Sequence, residues 1–383
     1  MRGHAERLNG LGTTIFAEMS ALAVATGSVN LGQGFPDTDG PDSLLEDAIA
    51  AIRAGANQYP PGRGIAPLRQ AIVDHQKRFY DLSYDPDTQV LVTTGATEAI
   101  AAALLAFVEP GDEVIALEPY YDSYAAGIAF AGGRRIPITL RAPSYRLDLD
   151  ELRAAITPRT KVLLINTPHN PTGTVLTDLE LRGIRDLAVE HDLVVITDEV
   201  YEHLVYDDHR HIPLATYDGM AGRTVSIGSA GKTFSVTGWK IGWVTGSPDV
   251  VTAVTTAKQF LTYVSGSPFQ PAVANALALG NDYFDGIRAT LQSRRDLLAN
   301  GLSDLGFEVH RPAGTYFITT DIRPLGHTDG IDFCRLLPER TGVVAIPTQV
   351  FYDNKEAGRP LVRWAFCKQE ALLQEALTRL QKL

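Results

Sequence analysis

Short, almost unbroken apolar runs recur through the middle of the chain, at 90–93, 114–117, 135–140, 162–166, 193–197, 224–227 and 241–245. A strand with one wet face alternates apolar and polar residues, so runs this uniform predict strands covered on both faces. Between several of them the apolar spacing lengthens to a helical period, as over 96–108 and 178–190. The alternation predicts a doubly wound α/β unit whose ligands sit at the carboxyl ends of its strands. After Gln270 the texture changes. A long helical pattern over 282–305 precedes hairpin-like strands at 307–310 and 315–320, further strands near 343–346 and 361–366, and a last helix. That order predicts an α+β unit. Ahead of the alternation, the first 44 residues hold a helical stretch at 15–25 and the turn-rich piece NLGQGFPDTDGP, and this N-terminal piece is expected to pack on the α+β unit; a helical stretch at 43–54 and the turn-rich NQYPPGRGIAP follow.

Composition narrows the field. With 383 residues, 45% of them hydrophobic, the chain is long enough for one large and one smaller domain with sizeable cores. Its net charge of −11, without a long run of one sign, lacks the basic footprint of a nucleic-acid binder. Two isolated cysteines, Cys334 and Cys367, are too few for a disulfide framework or a zinc cluster. No metal site is expected. The first residues lack the apolar core of a secretion signal, and the longest apolar run, 99–108, is half a membrane span. These features predict a soluble cytoplasmic protein with neither membrane nor nucleic-acid partners.

Candidate chemistry gathers at the strand ends. LVTTGATEAI carries a strand through Gly95 into a helix, whose first amides form an anion cup, although such junctions are also common plain connections. In NTPHNPTG, Asn170 precedes Pro171; it either forms an ordinary turn or presents its amide to a ligand oxygen. In VVITDEVYEHL, Asp198 ends an apolar strand, where a lone carboxylate is costly. It needs a cationic partner or caps a helix, and Tyr201 follows it. SIGSAGKTFSVTGWKIGW brings Ser229, Lys232 and Lys240 together among flexible glycines. A partly desolvated lysine becomes an imine-forming nucleophile, so two lysines with different partners suit one covalent and one phosphate-binding role. Arg363, inside the apolar run of PLVRWAFCK, suits a carboxylate, with a structural salt bridge as the alternative. Each feature has an ordinary explanation. One ligand accounts for all of them: pyridoxal phosphate needs a phosphate cup, an acid for its ring nitrogen, donors to its phenolic oxygen, an aromatic wall and a lysine, and an amino-acid substrate adds an arginine.

On the ordered series NLGQGFPD, EPYYDSY, HNPTG, DEVYE, SAGKTFSVTGWKIGW and LVRWAFCK, the chain resembles the class I/II aminotransferases, fold-type I pyridoxal-phosphate enzymes. Within them it is similar to the glutamine transaminase K/kynurenine aminotransferase subgroup and to actinobacterial N-succinyldiaminopimelate aminotransferases. The resemblance implies a mainly parallel seven-stranded sheet in a large domain over 45–275, with 1–44 and 276–383 forming a smaller α+β domain. It implies that Lys232 is the Schiff-base lysine and that Ser229, Lys240 and the amides of Ala96 and Thr97 hold the phosphate. Asp198 would pair with the pyridine nitrogen, Asn170 and Tyr201 with the phenolic oxygen, and Tyr121 would stack on the ring. Gly34 and Arg363 would receive the substrate carboxylate. Tyr59 would reach the phosphate of a neighbouring subunit, which implies a homodimer, and cis peptides are implied before Pro119 and Pro171. The reaction implied is ping-pong transfer of an amino group from an amino acid to a 2-keto acid. The same residues could support β- or γ-elimination or replacement. A regulator using such a domain as a sensor would need a DNA-binding domain, and motifs starting near Gly34 are expected to leave no room for one. For substrate choice, Lys258, Arg63 and Arg311 are candidate second cations, and Phe16, Phe35, Tyr120, Tyr121 and Tyr263 are candidate pocket aromatics.

Overall fold

The computed structural model describes residues 5–8, 12 and 14–383. All seven apolar runs join one sheet, in the order Val90–Thr94, Ile241–Thr245, Thr224–Ser229, Val194–Asp198, Thr160–Asn166, Glu113–Glu118 and Arg134–Thr139. Neighbours are parallel except Ile241–Thr245, which runs antiparallel to both its partners. The runs read as unbroken because both faces are covered. Val114, Ala116, Val162 and Leu164 pack with Ala99, Ala103 and Val254 on one side. Their sequence neighbours Ile115, Leu117, Leu163 and Ile165 pack with Leu181, Ile184 and Leu187 on the other. The helices supplying those side chains are Gly95–Phe107 and Pro248–Lys258 on the first face and Asp178–Glu190 on the second. The helix Asp178–Glu190 starts at a reciprocal cap, with Thr177 and Glu180 each satisfying the other's backbone amide.

A four-stranded antiparallel sheet follows in the order Ile346–Pro347, Leu361–Ala365, Phe317–Asp321 and Glu308–His310. The helix Asn281–Asp304 packs on it through Leu298 and Leu302, beside Trp364 and Leu373. Met19 and Ala23 of the helix Ile15–Thr26 enter the same core. The apolar run 343–346, expected as one strand, is divided. Val343–Val344 pairs in parallel with Val29–Asn30, whereas Ile346–Pro347 joins the antiparallel sheet. Two different partners claim one buried run, which no local pattern reveals. Cis peptides precede Pro119 and Pro171 as the resemblance implies, and also Pro143 and Pro168. No described helix is long and apolar enough to cross a membrane.

Candidate active site

Three adjacent parallel strands end with Asn166, Asp198 and Ser229 at their carboxyl ends, with Asn166 registered opposite Asp198. They open onto a cavity of about 490 Å³. Every site residue expected from the sequence lines it except Tyr59, whose ring is 82% exposed and lies edge-on to Tyr263.

At one end is an anion cup. Thr94, at the N-cap of Gly95–Phe107, makes no side-chain cap bond; its hydroxyl turns to Thr262 and Ser265. The first-turn residues Ala96 and Thr97 therefore face the cavity without a side-chain cap. Gly242 on the antiparallel strand presses against this turn: a Cβ there would stand 2.6 Å from the Gly95 carbonyl carbon and 2.8 Å from the Ala96 nitrogen. Lys240, held at φ 56°, lies so near that a Cβ on Gly95 would meet its Cε and Nζ at 3.3 Å. A lysine cation against the positive end of a helix is unfavourable by itself. Among the described residues Lys240 makes no ion pair and is exposed, so this cation and the helix start are both open to an anion. Ser229 completes the cup, its Oγ accepting from the Gly231 amide and donating to the Ile241 carbonyl, each at 3.2 Å.

Lys232 lies half-buried, its Nζ 5.8 Å from the ring centre of Tyr201 and 5.6 Å from that of Tyr316. Burial pulls its amine down to about 8; Cys367 and Asp198 oppose this, and the charges of Lys240 and Arg363 add to it. At neutral pH roughly a tenth is therefore the nucleophilic free amine, far more than in an ordinary lysine. Among the described residues Asp198 makes no ion pair, although the charge of Lys232 acts on it, and it caps no helix. Tyr124 donates its hydroxyl to Asp198 Oδ2 at 2.5 Å, and the Val200 amide reaches Oδ1 at 3.3 Å in a turn. Burial raises the carboxyl above its ordinary range, opposed by these two bonds and by Lys232. Tyr124 also stands edge-to-face with Tyr121, 6.0 Å between ring centres. It was not singled out from the sequence, although it lies three residues after Tyr121, one helical turn on, in the same EPYYDSY motif.

Arg363 is fully buried, its guanidinium carbon 4.0 Å from the centre of the Phe317 ring. Nη1 donates to Asn170 Oδ1 at 3.0 Å and Nη2 to the Gly32 carbonyl at 2.9 Å, while Nε has no partner. No carboxylate of the described chain pairs with it, so the salt-bridge alternative fails. An arginine offers only donors, so this contact fixes the Asn170 oxygen toward Arg363 and leaves its NH₂ to donate elsewhere. Gly34 is hemmed in, since a Cβ there would stand 2.5 Å from Phe317, and its carbonyl accepts from Tyr316 at 2.5 Å. Tyr201 is buried edge-on against Tyr316, 5.3 Å between ring centres.

Of the candidate specificity residues, Phe16, Phe35 and Tyr121 line the cavity, joined by Thr14 and Gln33. Tyr120 turns away to donate to Asp353 at 3.0 Å. The three candidate cations are used elsewhere. Lys258 donates to the Tyr263 carbonyl, Arg63 to those of Asp87 and Thr88, and Arg311 pairs with Asp296.

An uncapped helix start meeting a cation, a buried carboxylate without one, a depressed lysine and a carboxylate-free arginine together fit pyridoxal phosphate and an amino acid. The chain belongs to the class I and II aminotransferases, matching that family over residues 26–380, and is a pyridoxal-phosphate-dependent transferase. It is 54% identical over 387 residues, 98% of each chain, to the probable N-succinyldiaminopimelate aminotransferase DapC of Mycobacterium tuberculosis. The solved structure of the N-succinyldiaminopimelate aminotransferase from that organism matches with a TM-score of 0.97, covering 99% of both chains. The methionine aminotransferase of Escherichia coli is 38% identical, with 98% of this chain and 97% of the other aligned. These relatives support amino-group transfer and give no support to elimination or replacement.

Proposed function

We propose that this aminotransferase works by a ping-pong reaction through Lys232 on a long α-amino acid whose distal nitrogen is acylated. N-succinyldiaminopimelate is the compound named for the relative at 54% identity. That identity, sustained over 98% of both chains, carries the substrate reading. The convergence of the depressed Lys232 amine with Asp198 and Arg363 on one cavity carries the residue roles.

Bound in this cavity, pyridoxal phosphate supplies an electron sink for the bond broken at the substrate Cα. The amides of Ala96 and Thr97, with Ser229 and Lys240, hold its phosphate. Asp198, held by Tyr124, keeps a proton on the pyridine nitrogen by its negative charge. Asn170 and Tyr201 donate to the phenolic oxygen, and Tyr121 forms a wall against the ring. Arg363, with its free Nε, takes the substrate carboxylate beside Gly34. Lys232 attaches the cofactor, then removes the Cα proton as a base and returns it as an acid. The described wall carries only the cations Lys232, Lys240 and Arg363, each with a role, so a distal carboxylate has to be met by neutral donors or by another subunit. Tyr59 reaches the phosphate of the neighbouring subunit in a homodimer; its exposure and separation from its own cavity support this. The large domain spans 45–275, and 1–44 with 276–383 form the small one, residues 1–4, 9–11 and 13 lying outside the described residues.

The test compares N-succinyldiaminopimelate, methionine and kynurenine as donors to 2-oxoglutarate with purified holoenzyme. The succinylated donor is expected to give the highest kcat/KM; a higher value for methionine sinks the substrate reading. Lys232→Ala is expected to abolish the absorbance of covalently held cofactor, and persistence of that band removes Lys232 from its role.

A further inference from the structure

A second cavity, of about 420 Å³, also borders Lys232. Among the described residues, Lys232 is the only one that lines both cavities. The second therefore approaches the lysine by a separate route. One wall is the loop from Pro36 to Pro41. The other is a single face of the helix Asn281–Asp304, through Asp282, Gly286, Thr290 and Arg294. The helix Asn281–Asp304 continues the wall through Ile287 and Leu291. Asp39, Asp282, Gly286 and Thr290 are exposed, whereas Tyr316 and Cys367 at the lysine end are buried. The cavity thus grades from solvent to the carrier lysine. Hydroxyls and carboxylates from Thr38, Asp39, Ser235, Asp282 and Thr290 border it, a lining that suits water better than an apolar ligand.

Gly286 stands inside a helix, where glycine weakens the element, yet a Cβ there would meet nothing within 4 Å. The open space beside it belongs to the cavity. The loop opposite is pinned: Tyr316 donates to the Gly34 carbonyl, Lys368 to the Phe35 carbonyl at 2.7 Å, and the Gln369 amide to Asp37 at 2.9 Å. The partition between the two cavities is therefore fixed in place.

The chemistry gives such a route a use. The keto acid released in the first half of transamination takes its carbonyl oxygen from water, and the second half gives a water back as its keto acid condenses, each while substrate fills the first cavity. The Lys232 amine gains an N–H as the Cα–H bond breaks, and that proton returns to the reacting centre or exchanges with solvent. We propose that the second cavity is a solvent inlet through which the Lys232 amine exchanges protons with bulk water while substrate occupies the first. This rests on Lys232 being the proton carrier.

The experiment narrows the inlet with Gly286→Leu, which improves helix propensity, and independently with Thr290→Leu. Two readouts are taken on wild type and both variants. The first is free of turnover: alkylation of Cys367 by iodoacetamide in apoenzyme and holoenzyme, followed by mass spectrometry, with buried Cys334 as internal control. Both variants are expected to slow labelling of Cys367 several-fold and to leave Cys334 unchanged. The second is a single turnover with donor deuterated at Cα, reading the share of label retained on the cofactor product. Narrowing is expected to raise retention several-fold, because solvent no longer washes the label from the lysine. Slowed alkylation with unchanged retention overturns the proposal, since the cavity would then be a passage that does not serve Lys232. Unchanged alkylation in both variants overturns it as well. If Lys232→Ala moves label as the wild type does, the proton carrier is misassigned and the inlet falls for that separate reason.

Discussion

Asp198 depends on the hydroxyl of Tyr124 where a cation was expected. Tyr124→Phe removes the shortest bond to this carboxylate, so its protonation becomes easier and its charge on the pyridine nitrogen weaker. Hydrogen bonds to charged groups contribute about 1.5–3 kcal/mol, so cofactor affinity is expected to fall by roughly ten- to a hundredfold, read by titrating apoenzyme with pyridoxal phosphate. Lys232 gives a pH signature. Below its value of about 8 the amine is mostly protonated and inert; above it the free amine dominates. The rate at which apoenzyme attaches the cofactor should therefore rise with pH and level off above about 8. Because the Lys240 charge helps depress this amine, Lys240→Ala should move the plateau to higher pH as well as weaken phosphate binding; stopped-flow absorbance reads both. At this scale the sequence was informative wherever chemistry lay in contiguous motifs, as with Ser229 to Lys240 and Asp198 to Tyr201. It was silent on pairings across the chain. The bond from Arg363 to the Gly32 carbonyl joins residues 331 apart in sequence.

Among the elements, the antiparallel strand Ile241–Thr245 does more than extend the sheet. Its register sets Gly242 opposite Thr93 on one side and Ser229 on the other, so one glycine touches both halves of the anion cup. Gly242→Ala would push its Cβ into the backbone at Gly95 and Ala96. Such overpacking costs typically about 1–3 kcal/mol, expected mainly as lost cofactor affinity and a lower melting temperature of the holoenzyme than of the apoenzyme relative to wild type, read by calorimetry on both forms. The seven strands were legible because burial on both faces leaves a continuous apolar run. The helix Ala66–Tyr80 was not. It begins at Ile65 without a side-chain cap, and His75 and Gln76, both buried, interrupt its apolar face with polar residues. The divided run at 343–346 was illegible for a different reason: its two halves are equally apolar and differ only in their partners.

For the whole molecule, the exposed Tyr59 gives the subunit question a direct test. Mixing unfolded Lys232→Ala with Tyr59→Ala and refolding them together should generate hybrid dimers with one whole site each. About a quarter of the wild-type sites are expected, more than either parent supplies, if the symmetric pairing holds. Activity no greater than the parental sum excludes sharing through Tyr59. Light scattering of the wild type should report a dimer. The strand order has a further consequence, in the time a ribosome takes to make the chain. Among the described residues, Val90–Thr94, which leads into the anion cup, has Ile241–Thr245 as its only partner in the sheet. Until some 150 further residues have been synthesised, this early strand has nowhere to dock, and Arg363 emerges later still. A nascent chain therefore cannot acquire its cofactor until about two-thirds of it has been made and Ile241–Thr245 has emerged, the substrate site waits longer for Arg363, and chains released earlier carry an exposed, unpaired strand edge for quality control to recognise.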